Sequence, residues 1–277
     1  MAELKPEHSY PEPLDAIVLA GTDDNPRRMI LGQNKAFLEI GGKNLVRRAA
    51  EALQAADSIG RIYVVGPRQR LSAALGALSG DVVLVEQAGQ MLVNAWQAIH
   101  ASEADYRAAF GNDDPARPLF FISSDLPLVT AEAVDDFVLR CAREDQAAAK
   151  PHAMLAGVAD ESSLQPFYPR DGKPGIRRPY VHLADHRLRL ANIYVGRPRA
   201  LSNQSFLQVG SDHRKAEKWK NVISLAARFL SQPGGWSAAW MTFRLQATLL
   251  ASQRGGTLYA RLRRGNGRER VERLCSN

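Results

Sequence analysis

Four short runs of apolar and β-branched residues, AIVLAG (16–21), RIYVVG (61–66), DVVLVEQ (81–87) and LFFISSD (119–125), are separated by stretches in which Ala and Leu recur at helical spacing. This alternation is the pattern of βαβ units, and it restricts the first ~150 residues to an α/β architecture around a mostly parallel sheet. Each run is apolar nearly throughout, as in strands covered on both faces, so a three-layer, Rossmann-like arrangement with helices on both sides is expected. The intervening stretches fit. In NLVRRAAEALQAAD (44–57), Leu45, Ala49, Ala52 and Leu53 share one helical face, and 69–78 and 90–103 are further helices. The stretch from Thr130 to Asp145 opens with Thr130 as N-cap and acidic residues in its first turn, where the helix dipole favours them.

Beyond Lys150 the rhythm changes. HAMLAGVAD (152–160) reads as another strand, and the Pro-, Gly- and Arg-rich segment that follows reads as irregular, with one or two short strands near 189–195. From about Ser205 to Ser252 the pattern is helical, interrupted at SQPGGW, and Trp236, Trp240, Phe243, Ala247 and Leu250 form one apolar stripe. Residues 1–13 read as a flexible segment, 14–200 as one domain, and 201–277 as a helical appendage that could return to the main sheet.

Composition narrows the function classes. With 277 residues and 45% hydrophobic content the chain can build a substantial core. Cys141 and Cys275 fit neither a disulfide framework nor a four-ligand zinc site, which makes a reducing cytoplasm the expected setting. No run approaches the ~20 apolar residues of a transmembrane span. The net charge of +7 is concentrated after Arg170, in stretches such as RDGKPGIRRPY and RLRRGNGRERVER, and suggests an acidic partner. Aromatics are not interleaved with the arginines as in single-strand binders, so no specific nucleic-acid partner is expected.

The sharpest local signal follows the first strand. Leu19-Ala20-Gly21 leads through Thr22 to a basic pair, Arg27 and Arg28, and then to Lys35 in KAFLEIGGKNLV. A glycine at a strand's carboxyl end lets backbone N–H groups approach a phosphate, and basic side chains beside it add attraction for an anion. Neither a Walker A motif nor a GxGxxG fingerprint is present.

This order resembles the GT-A-like nucleotidyltransferase family, in particular the branch that includes the molybdenum-cofactor guanylyltransferases, whose signature runs LAGG, R[MLF]G and K.L..[IV].G.PL. Leu19-Ala20-Gly21, Arg28-Met29 and the stretch from Lys35 match it; Thr22 stands where the second glycine would be, and the loop before Gly32 is longer. FFISSDLPLVTAEAVDDFV is similar to a second family segment, in which the aspartate ending a buried strand binds Mg²⁺. The resemblance covers residues 14 to 140 well and thins through 195.

It implies that Arg28 and Lys35 hold a triphosphate with Arg27 assisting, that Leu19, Ala20, Gly21 and Thr22 form the backbone cradle, and that Asp125 carries Mg²⁺. It further implies that Glu86, Gln87, Gly89 and Asn94 read the base, although Asn94 can equally be an ordinary polar helix residue. Asp185, Arg187, Arg189 and Asn192 fall where relatives bind the acceptor. Family members complete the metal site with a second Asp or Asn. Here that ligand is either Asn192, with Asp185 next in order, or on a final strand beyond the end of the sequence. The implied reaction is Mg²⁺-dependent transfer of a nucleoside monophosphate from an NTP, GTP or CTP in first place, to a phosphorylated small-molecule acceptor. The rivals are a sugar-1-phosphate nucleotidyltransferase and a non-catalytic nucleotide- or RNA-binding relative.

Overall fold

The structure is a computed structural model, which describes residues 9–21, 29–30, 32–76, 78, 81–89, 91–175, 179–201, 235–254 and 256–264. The four expected strands form, as β1 (Leu14–Leu19), β4 (Ile59–Gly66), β5 (Val82–Glu86) and β6 (Leu119–Ser123). Between β1 and β4 lie a 3-10 turn (Lys35–Phe37), a two-residue hairpin of β2 (Glu39–Ile40) and β3 (Lys43–Asn44), and helix α1 (Leu45–Gln54). Helices α2 (Arg68–Leu75), α3 (Met91–Phe110) and α4 (Ala131–Ala147) occupy the remaining connections. Thr130 caps α4 as expected, its hydroxyl accepting from the Ala133 N–H. The sequence then continues through β7 (Met154–Asp160), the short α5 (Glu161–Leu164), β8 (Val181–His182), β9 (Arg187–Gly196), α6 (Gly235–Arg254) and α7 (Gly256–Arg264).

Strand order is β5-β4-β1-β6-β9-β7, with β8 on β9. The pairs β5-β4, β4-β1 and β1-β6 are parallel, and β9 runs antiparallel to β6. The near-continuous apolar runs are explained by side-chain parity. Ala16 and Val18 of β1, Ile62 and Val64 of β4, and Phe120 and Ile122 of β6 face one core cluster, covered by Val46, Ala50 and Leu53 of α1, Leu71 and Leu75 of α2, and Val134 and Val138 of α4. Ile17, Tyr63, Val65, Leu119 and Phe121 face the other way, against Ala98 and Ile99 of α3. Both faces are therefore dry, and each fully buried Ile, Leu or Phe contributes on the order of 1.5–3 kcal/mol.

The short strand expected near 189–195 forms, and it is longer than expected: ten residues, β9, antiparallel to β6. Arg187, at the start of this strand, is accommodated by an ion pair with Glu161 at 2.7 Å. The stripe expected on the tryptophan-bearing helix does not supply α6 with a core face. Trp240, Phe243 and Leu250 are exposed, Trp240 and Phe243 stacked on each other, whereas Thr248 and Ala251 are buried.

The chain divides into two compact units, one of residues 1–156 and 192–201 and the other of 157–191 and 202–277. In the first, a buried ion pair joins Arg197, just after β9, to Asp145 in α4 at 2.8 Å; the Tyr10 hydroxyl also donates to Asp145, and Arg197 donates to the carbonyls of His152 and Ala116. In the second, Arg263 of α7 donates to the Leu183 carbonyl and the His182 ring meets the Tyr259 hydroxyl. Among the described residues, no helix is long and apolar enough to cross a membrane.

Candidate active site at the strand ends

β1 and β6 are adjacent parallel strands, and the chain leaves β1 towards β4 on one side while β6 lies on the other. Such a reversal of strand order opens a crevice beyond the carboxyl ends, the usual ligand position in open α/β sheets. Gly21 and Asp125 stand there, each two residues past its strand. Leu19 and Ser123 are paired across the two strands, and the Ser124 N–H donates to the Leu19 carbonyl, so the two chain exits are locked together.

The structure brings Lys35 to Asp125. Lys35 Nζ lies 3.5 Å from Asp125 Oδ2, with side-chain exposures of 52% and 30%, so both charges are open to a ligand. The other carboxylate oxygen, Oδ1, accepts a 2.5 Å hydrogen bond from Ser123 Oγ. Lys35 is placed by the 3-10 turn, whose N-cap Asn34 accepts from the Ala36 N–H and whose Ala36 and Phe37 are buried. Arg70 of α2 stacks its guanidinium on the outer face of the Phe37 ring, 4.1 Å from the centroid.

A second convergence closes the crevice on the β5 side. Gly21 packs so tightly against Asn94 and Gln87 that a Cβ there would lie 2.8 Å from Asn94 Nδ2 and 3.6 Å from Gln87 Oε1. Asn94 is 3% exposed, and its amide braces the loop after β5, accepting from the Ala88 N–H and donating to the Gly89 carbonyl. Gly89 itself has φ +130°, a conformation other residues rarely adopt. Ala20 hydrogen-bonds to Val65, and its carbonyl lies against Gly66, where a Cβ would come within 2.7 Å. Glu86 follows at the carboxyl end of β5. Its carboxylate accepts from the Arg68 N–H and the Gln87 N–H, which places it at the N-terminus of α2.

Thr22, Arg27 and Arg28 lie outside the described residues. Asn192 is exposed with φ +59°, and it is one step past the last recorded β6–β9 pair, Ile122 with Ile193, in the direction of Ser123. Asp185, Arg187 and Arg189 belong to the other unit, where Asp185 lies 3.5 Å from His186 and Arg187 is paired with Glu161. Neighbouring Asp160 is pulled down to about 2 by hydrogen bonds from the Ser162 N–H and hydroxyl and from His186. Among the described residues, no group of three or more His, Cys, Asp or Glu is arranged to hold a metal. The single Asp125 carboxylate nevertheless fits Mg²⁺, which takes one or two carboxylates together with water and substrate phosphates instead of a full protein cage.

Sequence reasoning missed Ser123, whose hydroxyl meets a carboxylate only two residues away, and Gly66, whose role depends on its cross-strand neighbour Ala20. Asn34 was readable, since Asn directly before a helical turn is a capping signal.

A parallel-centred α/β sheet with a glycine, a lysine and an aspartate gathered at one crevice defines a nucleotide-handling fold. Residues 16–207 match the MobA-like NTP transferase domain, and the chain belongs to that family. It is 28% identical over 209 residues to the bifunctional enzyme IspD/IspF of Anaeromyxobacter sp. (strain Fw109-5), a match covering 73% of this chain and 48% of that protein. The chain thus spans about half the length of that relative. A hypothetical transferase structure from Thermus thermophilus shares the fold with a TM-score of 0.57 at 21% identity, over 95% of this chain and 89% of the other.

Proposed function

We propose that this protein is a Mg²⁺-dependent nucleotidyltransferase that transfers a nucleoside monophosphate from an NTP, GTP or CTP first, to a phosphorylated small-molecule acceptor. One observation carries the reading: the ammonium of Lys35 and the carboxylate of Asp125, both accessible, meet at 3.5 Å beyond the ends of β1 and β6. A cation and a metal-binding anion at one point are what a triphosphate with its magnesium ion requires.

In the reaction, an acceptor phosphate oxygen attacks the α-phosphorus, a new P–O bond forms, and the bond to the β-phosphate oxygen breaks to release pyrophosphate. The acceptor is already an anion at neutral pH, so no general base is needed. Lys35 would pair with the triphosphate, with Arg28 and Arg27 as further cations, and offset the charge that develops on the departing pyrophosphate. Leu19, Ala20, Gly21 and Thr22 would present backbone to the phosphates, and Glu86, Gln87, Gly89 and Asn94 would border the base. Asp125 would hold Mg²⁺, which when bound neutralises phosphate charge and orients the phosphates as a Lewis acid. Asn192 is the proposed second ligand.

The test is a panel of the four NTPs with phosphorylated acceptors, including a hexose 1-phosphate, assayed for Mg²⁺-dependent pyrophosphate release. Release with one NTP and an acceptor other than the hexose 1-phosphate supports the reading, whereas release confined to the hexose 1-phosphate identifies sugar-nucleotide synthesis instead. Saturable NTP binding with no pyrophosphate release from any pair refutes it in favour of a nucleotide-binding protein.

A further inference from the structure

The two oxygens of the Asp125 carboxylate are held differently. Oδ1 accepts from Ser123 Oγ at 2.5 Å, and Ser123 is fixed in the sheet by its pairing with Leu19. Among the described residues, Oδ2 meets a long contact, 3.5 Å, with the ammonium of Lys35, a side chain half exposed on a short turn. A hydrogen bond from a strand residue sets the carboxylate's orientation, while a long, solvent-screened ion pair is easily exchanged. An ammonium 3.5 Å from Oδ2 would lie within about 6 Å of any divalent cation bound to that oxygen, close enough for like-charge repulsion.

We infer that Lys35 and the divalent cation compete for Asp125 Oδ2, and that Lys35 acts as a resident counter-ion that hands this oxygen over only when a triphosphate arrives to receive its charge. Ser123 stays in place through the exchange and presents Oδ2. The consequence is coupling. In the nucleotide-free protein Lys35 weakens cation binding by like-charge repulsion and by occupying the ligand oxygen. With a triphosphate present, Lys35 turns to the phosphates, Oδ2 is released, and cation and nucleotide bind more tightly together than apart. A site with one carboxylate thereby avoids taking up metal without substrate. This inference rests on the proposed triphosphate site, but its first measurement involves neither nucleotide nor turnover.

The experiment titrates the intact protein with Mn²⁺ alone, followed by electron paramagnetic resonance of the free ion, and repeats the titration with a saturating non-hydrolysable NTP analogue. Lys35→Met should tighten nucleotide-free Mn²⁺ binding about two- to fivefold, the range expected for an exposed ion pair. Lys35→Arg, which keeps the charge, should bind as weakly as wild type. The gain should vanish in Lys35→Met/Asp125→Asn, which ties it to the carboxylate. Ser123→Ala should weaken Mn²⁺ binding in the Lys35→Met background, and Ser123→Thr should restore it. The tightening of Mn²⁺ binding by the analogue, clear in wild type, should shrink in Lys35→Met. Equal nucleotide-free affinity in wild type and Lys35→Met, or no detectable binding by either, overturns the inference. Absence of pyrophosphate release in the NTP panel would instead remove the proposed reaction while leaving the competition for Asp125 standing or falling on the Mn²⁺ data.

Discussion

The contact between Gly21 and Asn94 gives a quantitative test of how the crevice is built. The backbone at Gly21 is not left-handed, so the requirement for glycine is one of space. In Gly21→Ala the new methyl would lie 2.8 Å from Asn94 Nδ2, against the ~3.5 Å or more of a relaxed contact with carbon. Asn94 would have to retreat by about half an ångström or more, yet it is buried and pinned by bonds to the Ala88 N–H at 2.8 Å and the Gly89 carbonyl at 3.3 Å. The longer bond would break first. Overpacking of this kind costs ~1–3 kcal/mol. Asn94→Ala alone removes both bonds and costs about 1–2 kcal/mol. In the double variant the alanine at 94 vacates the space that the methyl at 21 needs, so the combined loss should fall ~1–2 kcal/mol short of the sum, a coupling typical of residues in contact. Urea unfolding of wild type, both single variants and the double variant measures this directly. Additivity within about 0.5 kcal/mol would refute the packing account of Gly21.

Asp125→Asn keeps the shape of the carboxylate and removes its charge, so the Mg²⁺ requirement for pyrophosphate release should rise sharply with little change in unfolding midpoint; a Mg²⁺ titration identical to wild type would reduce Asp125 to a turn residue. Lys35→Ala should lose ~2–4 kcal/mol of transition-state stabilisation, a drop in kcat/KM of about thirtyfold to a thousandfold, and turnover within a few-fold of wild type would exclude Lys35 from the phosphates. Arg197→Met leaves Asp145 buried without its cation, where the pair is 9% and 6% exposed, and should destabilise by about 3–5 kcal/mol in urea unfolding. Burial pushes the Asp145 carboxyl up, but hydrogen bonds from Tyr10, the His152 N–H and Arg197 outweigh it and hold the group below its ordinary 3.8. Its contribution is therefore complete above that value and lost as pH falls through the depressed folded value. Asp145→Asn should flatten the acid limb of the stability profile below about pH 4, read by urea midpoints across pH.

The parallel core of this protein was legible from sequence because its cause is local and periodic. Runs such as AIVL and YVV can only be dry on both faces, and the Ala- and Leu-rich stretches between them can only cover those faces as helices. The placing of Lys35 and Asp125 near the strand ends was legible as well, since a basic residue after a strand-glycine turn and an aspartate ending an apolar strand can be located from their types and positions. Strand β9 was legible in part: short strands near 189–195 could be read, but its ten-residue length and its antiparallel place beside β6 come from pairing. The exposure of Trp240, Phe243 and Leu250 on α6 was not legible, because periodicity shows that a helix has an apolar stripe while the neighbours decide whether it is covered. Tertiary structure alone decided that Lys35 reaches Asp125, that Ser123 orients it, and that Asn94 braces a loop against Gly21. The meetings of Lys35 with Asp125 and of Gly21 with Asn94 join residues far apart in the chain, at distances set by strand order and register, quantities that no local pattern of residues encodes; the Ser123–Asp125 bond spans only two residues, but the chain's turn at the end of β6 is what closes it.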